Sequence, residues 1–201
     1  INRKYDIAFC NPNGVRLDTL DMEVLTLMKK AGWYYLSVGI ESGSQPVLNH
    51  MKKRINITLV REKVSLIRKA GLEVYGFFII GYPTETFEDI KKTVNLALEL
   101  DLIGANFSCF HPLPGTAIFE MLVQSGKING EKFTELFNST YADVAYSPDN
   151  IPVNTLKNIQ RKAILRFYSR PRVIFKNLMY LKSVAHLRFL ITRASAYIFG
   201  R

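Results

Sequence analysis

The strongest constraint on this chain is a repeated unit: an apolar run, a turn of glycine and polar residues, then an amphipathic stretch closing on Ala-Gly or Gly. The apolar runs are Ile7–Cys10, Tyr34–Ile40, Val74–Ile80 and Ala105–Phe110. The joints Met28–Gly32 and Ile67–Gly71 repeat one pattern 39 residues apart. Strand–helix alternation at this spacing predicts parallel strands joined by right-handed crossovers. The runs are continuously apolar, which predicts strands buried on both faces. The fold class is α/β. Four units make half of an eight-unit barrel or an open sheet, and periodicity does not choose between them.

The helices follow from spacing and end signals. The first is expected to start near Asp18 or Thr19, to place Leu20, Val24, Leu27, Met28 and Ala31 at helical spacing, and to stop at Gly32. The second starts at Thr58, buries Val60, Val64 and Ile67, and stops at Gly71 behind Arg68-Lys69, cations suited to the negative end of a helix. The third opens on a variant capping box, Thr86 with Asp89, and turns Phe87, Ile90, Val94 and Ala97 to one side.

Composition narrows the class further. With 48% apolar and 22% charged residues the chain is not of the disordered type. Two cysteines, Cys10 and Cys109, make neither a disulfide framework nor a metal-ligand pair and read as reduced thiols of a cytoplasmic protein. No long charge-free apolar run predicts a membrane-spanning helix. The chain opens on Ile1 with no signal peptide ahead of it, and is expected to be the C-terminal part of a longer protein. Charge divides it: residues 1–150 carry 16 Lys/Arg against 17 Asp/Glu, whereas residues 151–201 carry 11 Lys/Arg and no acid. The body, residues 1–148, and the basic extension, residues 149–201, therefore need separate explanations.

Parallel α/β folds bind ligands at the C-terminal ends of their strands. Asn11, Asn13 and Arg16 follow the first run; Glu41, Ser42, Gly43 and Ser44 the second; Gly81, Tyr82, Thr84 and Glu85 the third; His111, Pro112 and Gly115 the fourth. Many of these residue types also form turns and helix caps. Glu41 stands apart, because an acid directly after a buried apolar strand is costly unless it is paired or faces a site.

In order, Val38–Ser44, Gly76–Thr86 and Pro112–Thr116 resemble the fourth-, fifth- and sixth-strand motifs of radical S-adenosylmethionine (SAM) enzymes. The resemblance covers about residues 5–130 and implies a partial (β/α) barrel of parallel strands, truncated, followed by a helical basic extension. It implies that Glu41, with Ser42 beside it, contacts the ribose or amino-acid end of SAM. It implies that Arg16 reaches the SAM carboxylate or the substrate, that Ile79, Ile80 and Gly81 pack on the adenine, and that His111 and Leu113 close the adenine side. The three-cysteine loop that holds the family's [4Fe–4S] cluster is not in this sequence, so no metal ligand is assigned, no catalytic residue is identified, and the fragment is expected to be inactive by itself.

The extension reads as a helix over residues 155–168, a second from about Val173 and an amphipathic stretch from Val184 to Phe199. It is similar to the extension of radical SAM proteins that carry a cobalamin-binding domain and act on lipid, tetrapyrrole or other small-molecule substrates. Its basic helices suit an anionic membrane surface, a neighbouring domain or, with less support, nucleic acid. Two alternatives stay open: a tRNA-modifying enzyme of the methylthiotransferase type, and a non-catalytic α/β module whose basic tail docks to a membrane or partner.

Overall fold

The computed structural model describes residues 7–130 and 144–179, with Arg188 and Thr192. Among them lies a four-stranded parallel sheet in the order β1 (Phe9–Cys10), β2 (Trp33–Glu41), β3 (Glu73–Ile80) and β4 (Gly104–Cys109). It curls into a half-barrel, which decides between the two arrangements the sequence left open.

The strands are not buried evenly. Along β3, Val74, Gly76, Phe78 and Ile80 are buried while Glu73, Tyr75, Phe77 and Ile79 are only half-buried. The expectation of burial on both faces therefore fails for β3. Its outer face meets helices, and its inner face, with Tyr75, Phe77 and Ile79, stays partly open. Leu36, Val38 and Ile40 of β2 join the outer face, as do Ala105 and Phe107 of β4.

Helix α1 (Met22–Ala31) starts later than expected. Asp18 and Thr19 fall in a 3-10 turn, Leu17–Thr19, and the capping residue is Asp21, whose side chain accepts the Val24 N–H at 2.8 Å. The shift moves the buried position to Leu25 and leaves Val24 and Leu27 exposed. A short helix α2 (Gln45–His50), which the sequence reading did not anticipate, fills the β2 crossover before α3 (Ile57–Lys69). Asn56 caps α3, accepting the Leu59 N–H at 2.7 Å, so the helix begins just before Thr58 and buries Val60, Val64 and Ile67 as expected. Thr86 and Asp89 complete the capping box of α4 (Phe87–Glu99), which buries Ile90, Val94 and Ala97; Phe87 is exposed instead. Helix α5 (Ala117–Gln124) follows β4.

The basic extension packs on the body. Helices α6 (Val153–Tyr168) and α7 (Pro171–Met179) contribute Leu156, Ala163, Phe167 and Val173 to the same core as the sheet. Phe167 meets Phe107 edge to face at 6.5 Å, and Phe107 stacks on Phe78 at 5.3 Å. Glu73 and Asp101 bind the extension electrostatically: Arg172 reaches Asp101 at 2.7 Å, and Lys176 reaches Asp101 at 2.9 Å and Glu73 at 3.2 Å. Arg68 of α3 pairs with both acids as well. The stretch from Val184 to Phe199 lies outside the described residues apart from Arg188 and Thr192, which are helical.

Candidate functional site at the strand ends

After β1 the chain leaves the sheet and rejoins it at Val15, which bridges to Val38. Asn11 fills the gap. Its side chain accepts the Ser37 N–H at 2.9 Å and donates to the Ser37 carbonyl at 3.0 Å, so an amide side chain continues the backbone ladder. Arg16 is exposed and its guanidinium is already held by Asp18, at 3.1 and 2.6 Å. The carboxylate it grips in this structure is therefore internal.

Glu41 ends β2 with φ at 67°, a conformation that non-glycine residues avoid. Its carboxylate takes the Lys53 ammonium at 2.6 Å, and the pair is mostly shielded from solvent. A β-carbon on Gly39 would stand 2.6 Å from Glu41 Oε1 and 3.1 Å from Lys53 Nζ, so the ion pair lies against bare backbone at Gly39. Gly39 is in register with Phe77, which puts the pair on the inner face of the half-barrel. Lys53 sits between Lys52 and Arg54, with φ at 54° and 56°. Such conformations cost about 1–3 kcal/mol each and cluster at functional sites. All the non-glycine residues of positive φ among those described converge on this one contact. The sequence reading singled out Glu41 but not Lys53, whose pairing depends on the backbone on either side of it.

Ser42 faces elsewhere. Its hydroxyl is fully buried 3.1 Å from that of Thr93, while Gly43 N–H donates to Thr93 at 2.9 Å and Ser44 to Asp89 at 2.6 Å. These bonds tie the β2 end to α4. Burial pushes the Asp89 carboxyl up, but hydrogen bonds from Ser44 and Thr86 outweigh it and hold it below the usual range.

At the β3 end, Ile79 lies on the inner face, whereas the Ile80 side chain belongs to the outer core and does not reach the mouth. Gly81 has φ at 78°, and the Leu156 side chain occupies the place of a β-carbon there. Glu85 is 1% exposed. One carboxylate oxygen accepts the Tyr82 N–H at 3.0 Å, and the other, buried, has no hydrogen-bond partner. Burial pushes this carboxyl up to about 7 against the Tyr82 and Gly81 N–H groups. Tyr82 in turn meets His50 Nδ1 at 3.1 Å and Phe110 edge to face at 5.0 Å. His111 and Leu113 follow β4 at the same end; His111 is partly buried, which lowers its pKa, and Leu113 is exposed. The structure thus groups Glu41, Ile79, Gly81, His111 and Leu113 at the strand ends, and turns Ser42 and Ile80 into the body.

The inner face carries the Glu41–Lys53 pair over Gly39 beside the apolar side chains of Phe77 and Ile79. It does not fit an iron–sulfur cluster. Cys10 is exposed, and Cys109 lies on the outer face beside Ile80 in register, its thiol pushed up to about 12 by burial. Among the described residues no group of three or more His, Cys, Asp or Glu could hold a metal ion.

Fold and site together define a parallel half-barrel of the α/β class with a carboxylate–ammonium pair at its mouth. The chain belongs to the radical SAM superfamily, whose family model matches residues 2–97. It is 31% identical to an uncharacterized methyltransferase of Pyrococcus horikoshii over 89% of this chain and 37% of that protein. It is 30% identical to the cytidylyl-2-hydroxyethylphosphonate methyltransferase of Streptomyces wedmorensis over 69% of this chain and 27% of that one. Among solved structures it resembles the radical SAM methyltransferase TsrM of Kitasatospora setae, determined with cobalamin and a [4Fe–4S] cluster bound, with a TM-score of 0.50 and 22% identity over 56% of this chain and 21% of that one. The chain spans well under half of the curated relatives it matches.

Proposed function

We propose that this chain is part of a cytoplasmic radical SAM enzyme and supplies one wall of its SAM pocket, with the cluster ligands contributed from outside this sequence. The cofactors supply the hard chemistry in such enzymes, and the protein binds, orients and excludes water. The chemistry is reductive cleavage of SAM, used for hydrogen abstraction from a small organic substrate or for methyl transfer with cobalamin. The methyltransferase relatives and the cobalamin-bound neighbour support the second use.

The observation that carries the reading is the Glu41–Lys53 pair on bare Gly39 backbone at the strand mouth. Glu41 accepts hydrogen bonds from the ribose hydroxyls or the ammonium of SAM, and Lys53 holds the carboxylate in place. Phe77 and Ile79 form an apolar wall for the adenine, Gly81 turns the chain at its edge with Leu156 packed behind it, and His111 and Leu113 close the far side. Arg16 reaches SAM or substrate on exchanging its Asp18 partner. Ser42 acts indirectly, by anchoring the β2 end to Thr93.

The test compares two proteins. The 201-residue chain should release no methionine or 5′-deoxyadenosine from SAM under reducing conditions. The intact enzyme, with its cluster reconstituted, should release both, and Glu41→Gln should raise its KM for SAM by about tenfold, as expected for loss of one charge-assisted contact. An unchanged KM in folded Glu41→Gln enzyme would overturn the assignment, and cleavage by the 201-residue chain would overturn its part-enzyme status.

A further inference from the structure

Helix α7 presents an apolar face to solvent. Ile174, Phe175, Leu178 and Met179 are all exposed, Phe175 by 65% and Met179 by 71%. At α-helical pitch these four span an arc of about 140°, opposite the buried Val173. A surface helix of a soluble domain places polar side chains on such an arc. A cavity of about 520 Å³ opens beside it, lined by Phe175 and Met179 on one side and by Glu73, Arg172 and Lys176 on the other.

The charge around this face is net positive. Residues 151–179, the described helices of the extension, contain 7 Lys/Arg and no acid. The acids nearest α7, Glu73 and Asp101, are matched by Arg68, Arg172 and Lys176, so the cluster keeps a net positive charge. The Arg172 side chain, at the edge of the apolar arc, remains 67% exposed even while paired. Arg161, Lys162 and Arg166 of the adjoining α6 are exposed too.

We propose that α7 and the adjoining α6 dock this chain on an anionic lipid bilayer, with Ile174, Phe175, Leu178 and Met179 entering the headgroup–acyl boundary. A basic helix with an apolar face lies in the plane of such a surface, held by both buried apolar area and attraction to acidic lipids. Among the described residues no helix is long and apolar enough to cross a bilayer. A protein partner of ordinary composition explains the apolar arc but not the excess of positive charge. Nucleic acid explains the charge but not the apolar arc.

The experiment is co-sedimentation of the chain with vesicles of phosphatidylcholine alone and of an equal mixture with phosphatidylglycerol. Binding to the mixed vesicles should be at least about tenfold stronger and should weaken with salt. The pair Phe175→Ser and Met179→Ser should remove it, while Leu27→Ser, at another exposed apolar position, should not. In Phe175→Trp the emission should shift to the blue on adding mixed vesicles, beyond any response of Trp33. Equal binding to both vesicles, no binding, or binding unaffected by the α7 pair would overturn the proposal. So would a dimer that dissociates in the α7 pair, which would make the face a contact between copies of this chain. Capture of duplex RNA without vesicle binding would overturn it as well.

Discussion

The hydroxyl of Tyr168 takes both backbone groups of Ala105, accepting its N–H at 3.3 Å and donating to its carbonyl at 3.1 Å. Gln160, two turns earlier on α6, donates to the Phe107 carbonyl at 2.7 Å. These contacts satisfy Ala105 and the Phe107 carbonyl on the edge of β4, where no strand pairs among the described residues, so the extension caps part of that edge as well as covering the core. An open edge with free N–H and C=O groups is otherwise a template for unwanted pairing.

Removing that hydroxyl should therefore cost stability. Tyr168→Phe keeps the ring and removes the hydroxyl partner of two backbone groups of buried Ala105, an expected loss of about 1–3 kcal/mol in urea unfolding. The variant should also aggregate more readily on heating, measured by light scattering.

Gly43 and Gly115 should respond very differently to alanine. A β-carbon at Gly43 would meet the backbone of Lys92 at 2.4 Å and Thr93 at 2.6 Å, atoms that α4 cannot move aside. Gly115 has φ at 81° but nothing within 4 Å. Gly115→Ala should cost about 1–2 kcal/mol, the strain of a left-handed L-residue. Gly43→Ala should cost more than that and separate β2 from α4, read by hydrogen exchange at Ser42 and Ser44.

The Glu85 carboxyl makes stability pH-dependent in a direction opposite to that of most acids. Its folded pKa is raised to about 7 from an ordinary value of 4.5, so between those values the folded state holds a proton that the unfolded state has lost. Stability should then fall as pH rises from about 4.5 to 7, by about 3 kcal/mol in total. Glu85→Gln, neutral throughout, should abolish that slope in denaturation curves taken across the window.

Asp101 should show the usual sign. Burial pushes its carboxyl up, but Lys176, Arg68 and Arg172 outweigh burial and leave it below the ordinary value. The docking of α7 is thus supported above the unfolded pKa and weakens as pH falls through the lower folded one. Asp101→Asn should loosen α7 by about 1–3 kcal/mol at neutral pH, because Arg172 then loses its carboxylate while Arg68 and Lys176 keep only Glu73. Hydrogen exchange at Val173 and Asn177 is the measurement.

The sequence by itself determined the parallel α/β order, the long strands β2, β3 and β4, and the helices α3 and α4, and it singled out Glu41 as an acid that needs a partner. Continuous apolar runs, capping signals and helix-stopping glycines act within a few residues of one another, so they are legible locally. The start of α1 was not, because Asp18 and Thr19 mimic the cap that Asp21 provides, and Asp18 is engaged by Arg16. Tertiary structure alone decided which strand face stays open, that Ser42 and Ile80 turn inward to the body, and that Lys53 meets Glu41. It also carried α6 and α7 onto the sheet. Each of these depends on groups brought together across crossovers, such as Tyr168 and Ala105, 63 positions apart, where local propensity has no influence.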